Sequence, residues 1–565
     1  MTLLAARPLR AIAGPAVAAC VAALPYLQTL WFGFVNYDDP IHVTENPAFF
    51  PVSWSSLTTF WMRPYGHLYV PASYMLFAAE CGASRWLHGD GPTAAVSPWI
   101  FHAVSVVLHV FSALLVVRIL RHFTSLPWAA VAGGVLFAAH PLQVESVAWV
   151  AEQRGLLAAV FSLLAVGQFL AWVNQDRERS PLQTSYLVAI GALVVALLAK
   201  PSAIVTPFLA FAVAFHRRSV PWHTLARALV PWAGLALAAA IVTRTVQPAE
   251  LTRVDVPILD RPLIAGDAIA FYAGKIVMPT GLCVAYGRTP RVAVADATAP
   301  FLAGLVAIAF AAVILLPHGR AWRLPLVLFV IPLVPVLGFT PFVFQNHSTV
   351  ADRYVYLAML GPALAITLGI DRWQRARSTL LGRGLPFGAT VAIAVVCLQL
   401  TWRQAGVWRD SRTLFSHALA TGHDNAVAHN NLGLALTELG RPGDALPHLQ
   451  RAVALRADDA GAWFNLGNAF AAVHDLPAAV HAFGRALDLD SDRFKAWNNL
   501  GIVLLLGGER SAAEAAWRQS LAIRPDFPDA RLNLAKLLDS RAQATPGAAR
   551  AEEADSGRDD DPAPP

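Results

Sequence analysis

Charge is scarce in these 565 residues: Asp, Glu, Lys and Arg make up 14%, against a hydrophobic share of 56% and a mean hydropathy of +0.49. A soluble chain carries about 25% charge, which excludes a wholly soluble protein. Cysteine is scarce too. The four thiols, Cys20, Cys81, Cys283 and Cys397, show no CxxC or metal-ligand spacing, so no metal centre is expected. A Cys81–Cys283 disulfide stays open if both face an oxidising compartment. Val17-Ala18-Ala19-Cys20 resembles a lipoprotein cleavage site, but its apolar run continues through Phe34 and reads as a retained span. The net charge of +6 does not point to nucleic acid, because the arginines are scattered over short loops beside apolar runs.

What is abundant is apolar sequence. Runs able to span fall near 11–34, 98–117, 126–140, 154–173, 183–199, 202–216, 226–243, 298–316, 325–340, 353–370 and 385–401, giving about eleven helices. Arg7 and Arg10 precede the first span, and Arg118 and Arg121 follow the second. Arg177/Arg179, Arg217/Arg218, Arg320/Arg323 and Arg372/Arg375/Arg377 continue the pattern at every second connection. The N-terminus is therefore expected in the cytoplasm and the first loop outside. Leu263 to Val284 is apolar enough to insert but carries Asp267, Lys275, Pro279 and Gly281. It reads as an amphipathic or re-entrant helix on the outer face. The chain then leaves the membrane outside, on the side of the first loop.

After Trp402 the sequence repeats. Asn431-Leu432-Gly433, Asn465-Leu466-Gly467, Asn499-Leu500-Gly501 and Asn533-Leu534-Ala535 recur every 34 residues, the tetratricopeptide period. Ala452, Ala486 and Leu521 follow within each second helix. Three repeats plus a final helix form a short solenoid whose concave face suits a peptide. The expected domains are 1–401 in the membrane, 402–541 as the solenoid, and 542–565 as a tail. That tail is rich in Ala, Asp, Glu and Pro and is expected to be disordered.

The chemistry starts in FVNYDDPIHVTENP, Phe34 to Pro47. Asp39 before Pro40 suits a helix cap. Asp38 has no such role, and neighbouring acids raise one another's pKa toward that of a general base. More ionisable residues gather at the same boundary. His140 and Glu145 stand in HPLQVESVAW, Arg154 follows, Lys200 opens the third outer loop, and Arg353 lies in ADRYVY. Burying a charge there is costly. Singly, Arg154 or Lys200 is a snorkelling anchor. Together they form an array of acid, base and cation, as transfer from a lipid phosphate requires: cations for the departing phosphate and a carboxylate for the acceptor.

The stretches NYDDP…VTENP, HPLQVESVAWVAEQR, KPSAIVTPF and ADRYVYLAMLG, with the 34-residue repeats, resemble the transmembrane and tetratricopeptide-repeat O-mannosyltransferases, and look closest to their bacterial relatives. The resemblance covers nearly the whole chain except the tail. It implies an all-α GT-C glycosyltransferase fold and a polyprenyl-phosphate sugar donor. It also implies a base in the first outer loop, which falls on Asp38 or Asp39, and in eukaryotic members a dolichyl-phosphate mannose donor and a Ser/Thr acceptor. There are departures. The family's basic-plus-Asp pair is here Gln153-Arg154-Gly155, without the acid. Its Arg-Pro-Leu motif appears only as Met62-Arg63-Pro64-Tyr65-Gly66-His67-Leu68, and its Tyr-Leu-Pro as Tyr356-Leu357-Ala358.

The reading is an inverting, metal-free membrane glycosyltransferase without cofactor. Asp38 or Asp39 is the base; His140, Glu145, Arg154, Lys200 and Arg353 bind substrate; the solenoid recruits a protein acceptor outside the cell membrane. The alternatives are a non-catalytic membrane scaffold and a transporter. A transporter needs polar residues at mid-membrane depth and usually an internal repeat, and neither stands out.

Overall fold

The computed structural model describes residues 6–50, 52–88, 96–175, 182–217, 220–247, 256–340, 342–377, 379–422 and 424–555. Arg177, Arg179, Arg218 and residues 556–565 lie outside these, as do the side chains of Arg7 and Arg10. The described chain is all-α apart from two isolated bridges, Phe49–Val52 and Tyr65–Leu68. It divides into two units, Met1–His423 and Asp424–Pro565. The division falls beyond Trp402 because the helix Leu380–Val407 carries straight past it. The next helix, Ser411–Thr421, belongs with the first unit: the Ser411 hydroxyl accepts the Asn36 N–H at 2.8 Å.

All eleven segments read as spans are helical. Six are long and apolar enough to cross a bilayer: Ala13–Trp31, Pro98–Leu120, Val150–Val173, Trp222–Val246, Pro317–Val336 and Gly384–Val407. Pro127–Ala139, Thr184–Ala199 and Ala299–Leu315 are shorter apolar helices. Several start on proline, whose fixed φ suits the first turn and whose missing N–H leaves no orphan donor there. The Leu263–Val284 segment forms one helix, Arg261–Val277, and then leaves helical geometry. Its Asp267 is buried against Arg288, with oxygen–nitrogen distances of 2.6 and 2.8 Å. Its Tyr272 hydroxyl meets the Ala351 N–H at 3.1 Å, tying this helix to the loop that carries Arg353.

The second unit stacks helix pairs. Within a pair, Gly467 and Gly501 sit where a Cβ would come within 2.7 Å of the Phe483 ring and 2.6 Å of Trp517 Nε1. Glycine in each Asn-Leu-Gly therefore lets the second helix close in, over the fully buried Ala452 and Ala486. Asparagine carboxamides link one repeat to the next: Asn465 donates to Asn430 at 2.9 Å, Asn499 to Asn468 at 2.8 Å, and Asn533 to Asn498 at 3.1 Å. The last helix runs from Pro528 to Asp555, past the point at which a disordered tail was expected.

Candidate active site

The two adjacent aspartates fold into different environments. Asp39 is buried, and its carboxylate accepts the Val35 N–H at 2.9 Å and the Ala151 N–H at 2.8 Å. It therefore pins the first loop to the second and caps nothing: no side-chain cap bond forms at Pro40–Thr44. The capping expectation is corrected here, because the turn brings the carboxylate back onto Val35 rather than forward onto the helix. Burial pushes the Asp39 carboxyl up to about 7; the two N–H bonds oppose this, and the Asp38 charge adds to it. Asp38 keeps 37% of its side chain exposed and lies 3.5 Å from the Arg154 guanidinium.

Arg154 opens the helix Gln153–Val173 and is held from several sides. Its Nε donates to the Ala151 carbonyl at 2.7 Å, and its Nη1 donates to His42 Nε2 at 3.1 Å. Arginine has only donors, so His42 Nε2 must accept and Nδ1–H points to the Tyr74 hydroxyl, 2.9 Å away. Burial first, then the Arg154 charge, holds the His42 pKa far below its ordinary value, so the ring is neutral.

Two further ion pairs complete the cluster. Arg353, in the turn Asp352–Tyr354, pairs with Glu145 through its guanidinium, and its own N–H donates to the same carboxylate at 3.1 Å. The guanidinium also lies over the Phe344 ring at 4.1 Å and the Tyr354 ring at 5.0 Å. Lys200, just past the helix Thr184–Ala199, pairs with Glu152. Burial lowers its pKa, and Glu152 restores part of the loss. Beside Arg353, burial and the Glu145 charge drive the Asp352 carboxyl well above the carboxylate range, and it accepts the Tyr286 hydroxyl at 2.7 Å.

A small cavity of about 90 Å³ opens beside these pairs. Its lining combines the polar Glu152, Lys200, Arg353 and Tyr354 with the apolar Ala158, Val205, Pro332 and Leu357. A larger trench of about 810 Å³, lined by Phe137, Ile366 and Val396 among others, carries no acid, lysine or arginine. Of these two, only the smaller suits chemistry that needs charge; a third, of about 280 Å³, is lined by Asp267, Lys275 and Arg288, of which Asp267 and Arg288 pair with each other.

Of the residues singled out in the sequence, Asp38 with Arg154, Glu145 with Arg353, and Lys200 form neighbouring ion pairs within electrostatic reach of one another, and Asp39 bonds the Ala151 backbone that Arg154 also holds. His140 joins none of these. Its ring accepts the Leu142 N–H at 3.2 Å and bonds the Ile276 carbonyl at 3.0 Å, and it lines the apolar trench instead. His42, Tyr74 and Glu152 were not foreseen. The rule that an ionisable residue at a membrane boundary is functional by default picks out Glu152 as readily as Glu145. Cys81 and Cys283 are both free and buried, so the disulfide is not formed. Among the described residues no His, Cys, Asp and Glu group has the arrangement of a metal site.

Compared with known proteins, the tetratricopeptide repeat model matches residues 403–462, 430–493 and 464–517. Protein O-mannosyl-transferase Tmtc2 of Drosophila melanogaster is 33% identical over 178 residues, 31% of this chain and 18% of that protein. Protein O-mannosyl-transferase TMTC3 of Mus musculus is 23% identical over 459 residues, 74% of this chain and 48% of that protein. The matches thus span less than half the length of these two relatives. Among solved structures, the crystal structure of MamA aligns at 26% identity with a TM-score of 0.23, over 25% of this chain and 82% of that one.

Proposed function

We propose that this chain, a distant relative of the protein O-mannosyl-transferases, is a membrane glycosyltransferase that moves a hexose from a polyprenyl-phosphate donor to a protein Ser/Thr hydroxyl. One observation carries the reading. A half-exposed carboxylate paired with Arg154 lies within electrostatic reach of a cavity lined by two cations and by apolar side chains. Asp38, the acid open to water, takes the acceptor proton as the hydroxyl attacks the anomeric carbon from the face opposite the phosphate, inverting that centre. Arg154, itself held by His42, faces the Asp38 carboxylate. Lys200 and Arg353 receive the negative charge that develops on the leaving phosphate, and the apolar walls take the start of the lipid. The leaving group departs as a phosphate already matched to cations, so no metal or cofactor is assigned a step.

The repeats fit a protein acceptor, since solenoids of this kind present extended binding surfaces. Arginine distribution over the short loops supports an extracytoplasmic orientation for the repeats. The test is hexose transfer from a synthetic polyprenyl-phosphate sugar to Ser/Thr peptides in reconstituted membranes. Asp38→Asn is expected to lower the rate about 10²–10⁴-fold, the usual cost of losing a general base. Wild-type transfer in that variant would favour a non-catalytic scaffold built around the repeats.

A further inference from the structure

The three cations of the cluster already have partners. Arg154 faces Asp38, Arg353 faces Glu145, and Lys200 faces Glu152. These six charges sum to zero, so an entering anion finds no free cation and must take one from an acid. Buried charge left without a partner is strongly disfavoured.

The three acids are not equally able to give way. Glu145 grips Arg353 twice, through guanidinium and backbone N–H, and is enclosed. Asp38 belongs to water, not to the small cavity, which it does not line. Glu152 makes one ion pair, and to a lysine, a compact cation on a rotatable stem. Both partners line the cavity. Gly155 makes this arrangement possible. A Cβ at position 155 would fall on the Glu152 carboxylate and lie 3.1 Å from Lys200 Nζ.

We propose that Glu152 is a resident counter-ion that keeps the donor's place on Lys200: the donor phosphate displaces it, and it returns when the polyprenyl phosphate leaves. This rests on the lipid-phosphate reading above. No covalent bond forms or breaks. Lys200 exchanges a carboxylate oxygen for a phosphate oxygen, then exchanges back. Glu152 is in these terms a positioning residue that acts through Lys200. It keeps the cation aimed at the cavity while the site is vacant, and competes with the product for it afterwards.

The consequence has a sign that a merely structural acid would not produce. Removing a rival anion tightens anion binding. In the full-length protein in lipid nanodiscs, Glu152→Gln is expected to bind a long-chain polyprenyl monophosphate about tenfold more tightly or better, the equivalent of one charge-assisted hydrogen bond. The uncharged polyprenol should bind wild type and variant alike. Glu152→Ala provides a second route should Glu152→Gln fold poorly: it removes the same rival charge with a different side chain, and binding should tighten in the same direction. Lys200→Met should weaken it about tenfold or more. Unchanged or weaker phosphate binding in both Glu152→Gln and Glu152→Ala would overturn the counter-ion role while leaving the donor reading standing. Wild-type protein that does not prefer the phosphate to the alcohol would overturn the donor reading, and the counter-ion with it.

Discussion

Replacing Asp39 by asparagine tests the junction between the first two loops. The aspartate offers two oxygens, one to Val35 N–H and one to Ala151 N–H. Asparagine offers one oxygen and an NH₂, so one of those N–H groups faces another donor. A buried N–H left unpaired costs about 1–3 kcal/mol. The second term depends on pH. Burial raises the folded carboxyl from 3.8 to about 7, so between those values the folded chain holds a proton that the unfolded chain has released. Stability must then fall as pH rises through that window, and level off above it. At about 1.4 kcal/mol per unit, the whole window is on the order of 4 kcal/mol. Asparagine has no such titration. The variant should therefore be less stable than wild type at pH 5 by about 1–3 kcal/mol, with the gap closing or reversing by pH 8. Unfolding in detergent followed at both pH values measures this. A variant equal to wild type at pH 5 would mean that the carboxylate does not join the loops. A gap that ignores pH would mean that Asp39 does not titrate in the folded chain.

Three further outcomes are expected. Arg353→Lys keeps the charge but loses the planar fork on Glu145, so transfer should drop about tenfold or more in a folded protein; full activity in Arg353→Ala would reduce Arg353 to an anchor. A cysteine in place of Gly461 should react with a membrane-impermeant thiol reagent in intact cells, or in spheroplasts where an outer membrane intervenes. Labelling only after lysis would reverse the assigned orientation. Gly467→Val places atoms against the Phe483 ring, where even a Cβ would lie at 2.7 Å, and should destabilise the repeats by about 1–3 kcal/mol. Thermal unfolding no different from wild type would show that the helix pair can open without cost.

The repeats were legible because their signal is local and periodic: Asn-Leu-Gly every 34 residues is one helix pair seen from its tightest contact. The apolar segments were legible for the same reason, since composition within a window is enough to mark them. The pairing of charges was not. Arg154 meets Asp38 across 116 residues, Lys200 meets Glu152 across 48, and Arg353 meets Glu145 across 208. No local pattern encodes which acid meets which cation. Asp39 shows the limit most sharply. Asp-Pro is good local evidence for a cap, but a backbone N–H 112 residues away claims the carboxylate. Gly155 reads in sequence as a missing acid, whereas in the fold the Glu152 carboxylate lies where its side chain would begin.

The asparagine links between repeats also set how the second unit fails. Each stack of helices touches only its neighbours, so its stability behaves as a chain of nearest-neighbour couplings. The carboxamide bonds from Asn465, Asn499 and Asn533 are three such couplings in series. An interior pair is supported from both sides, while the helix that starts at Pro528 is supported from one. Melting should therefore begin at an end of the stack, the Pro528 helix among them, and advance one link at a time. An alanine at Asn499 would divide one cooperative stack into two that unfold at separate temperatures.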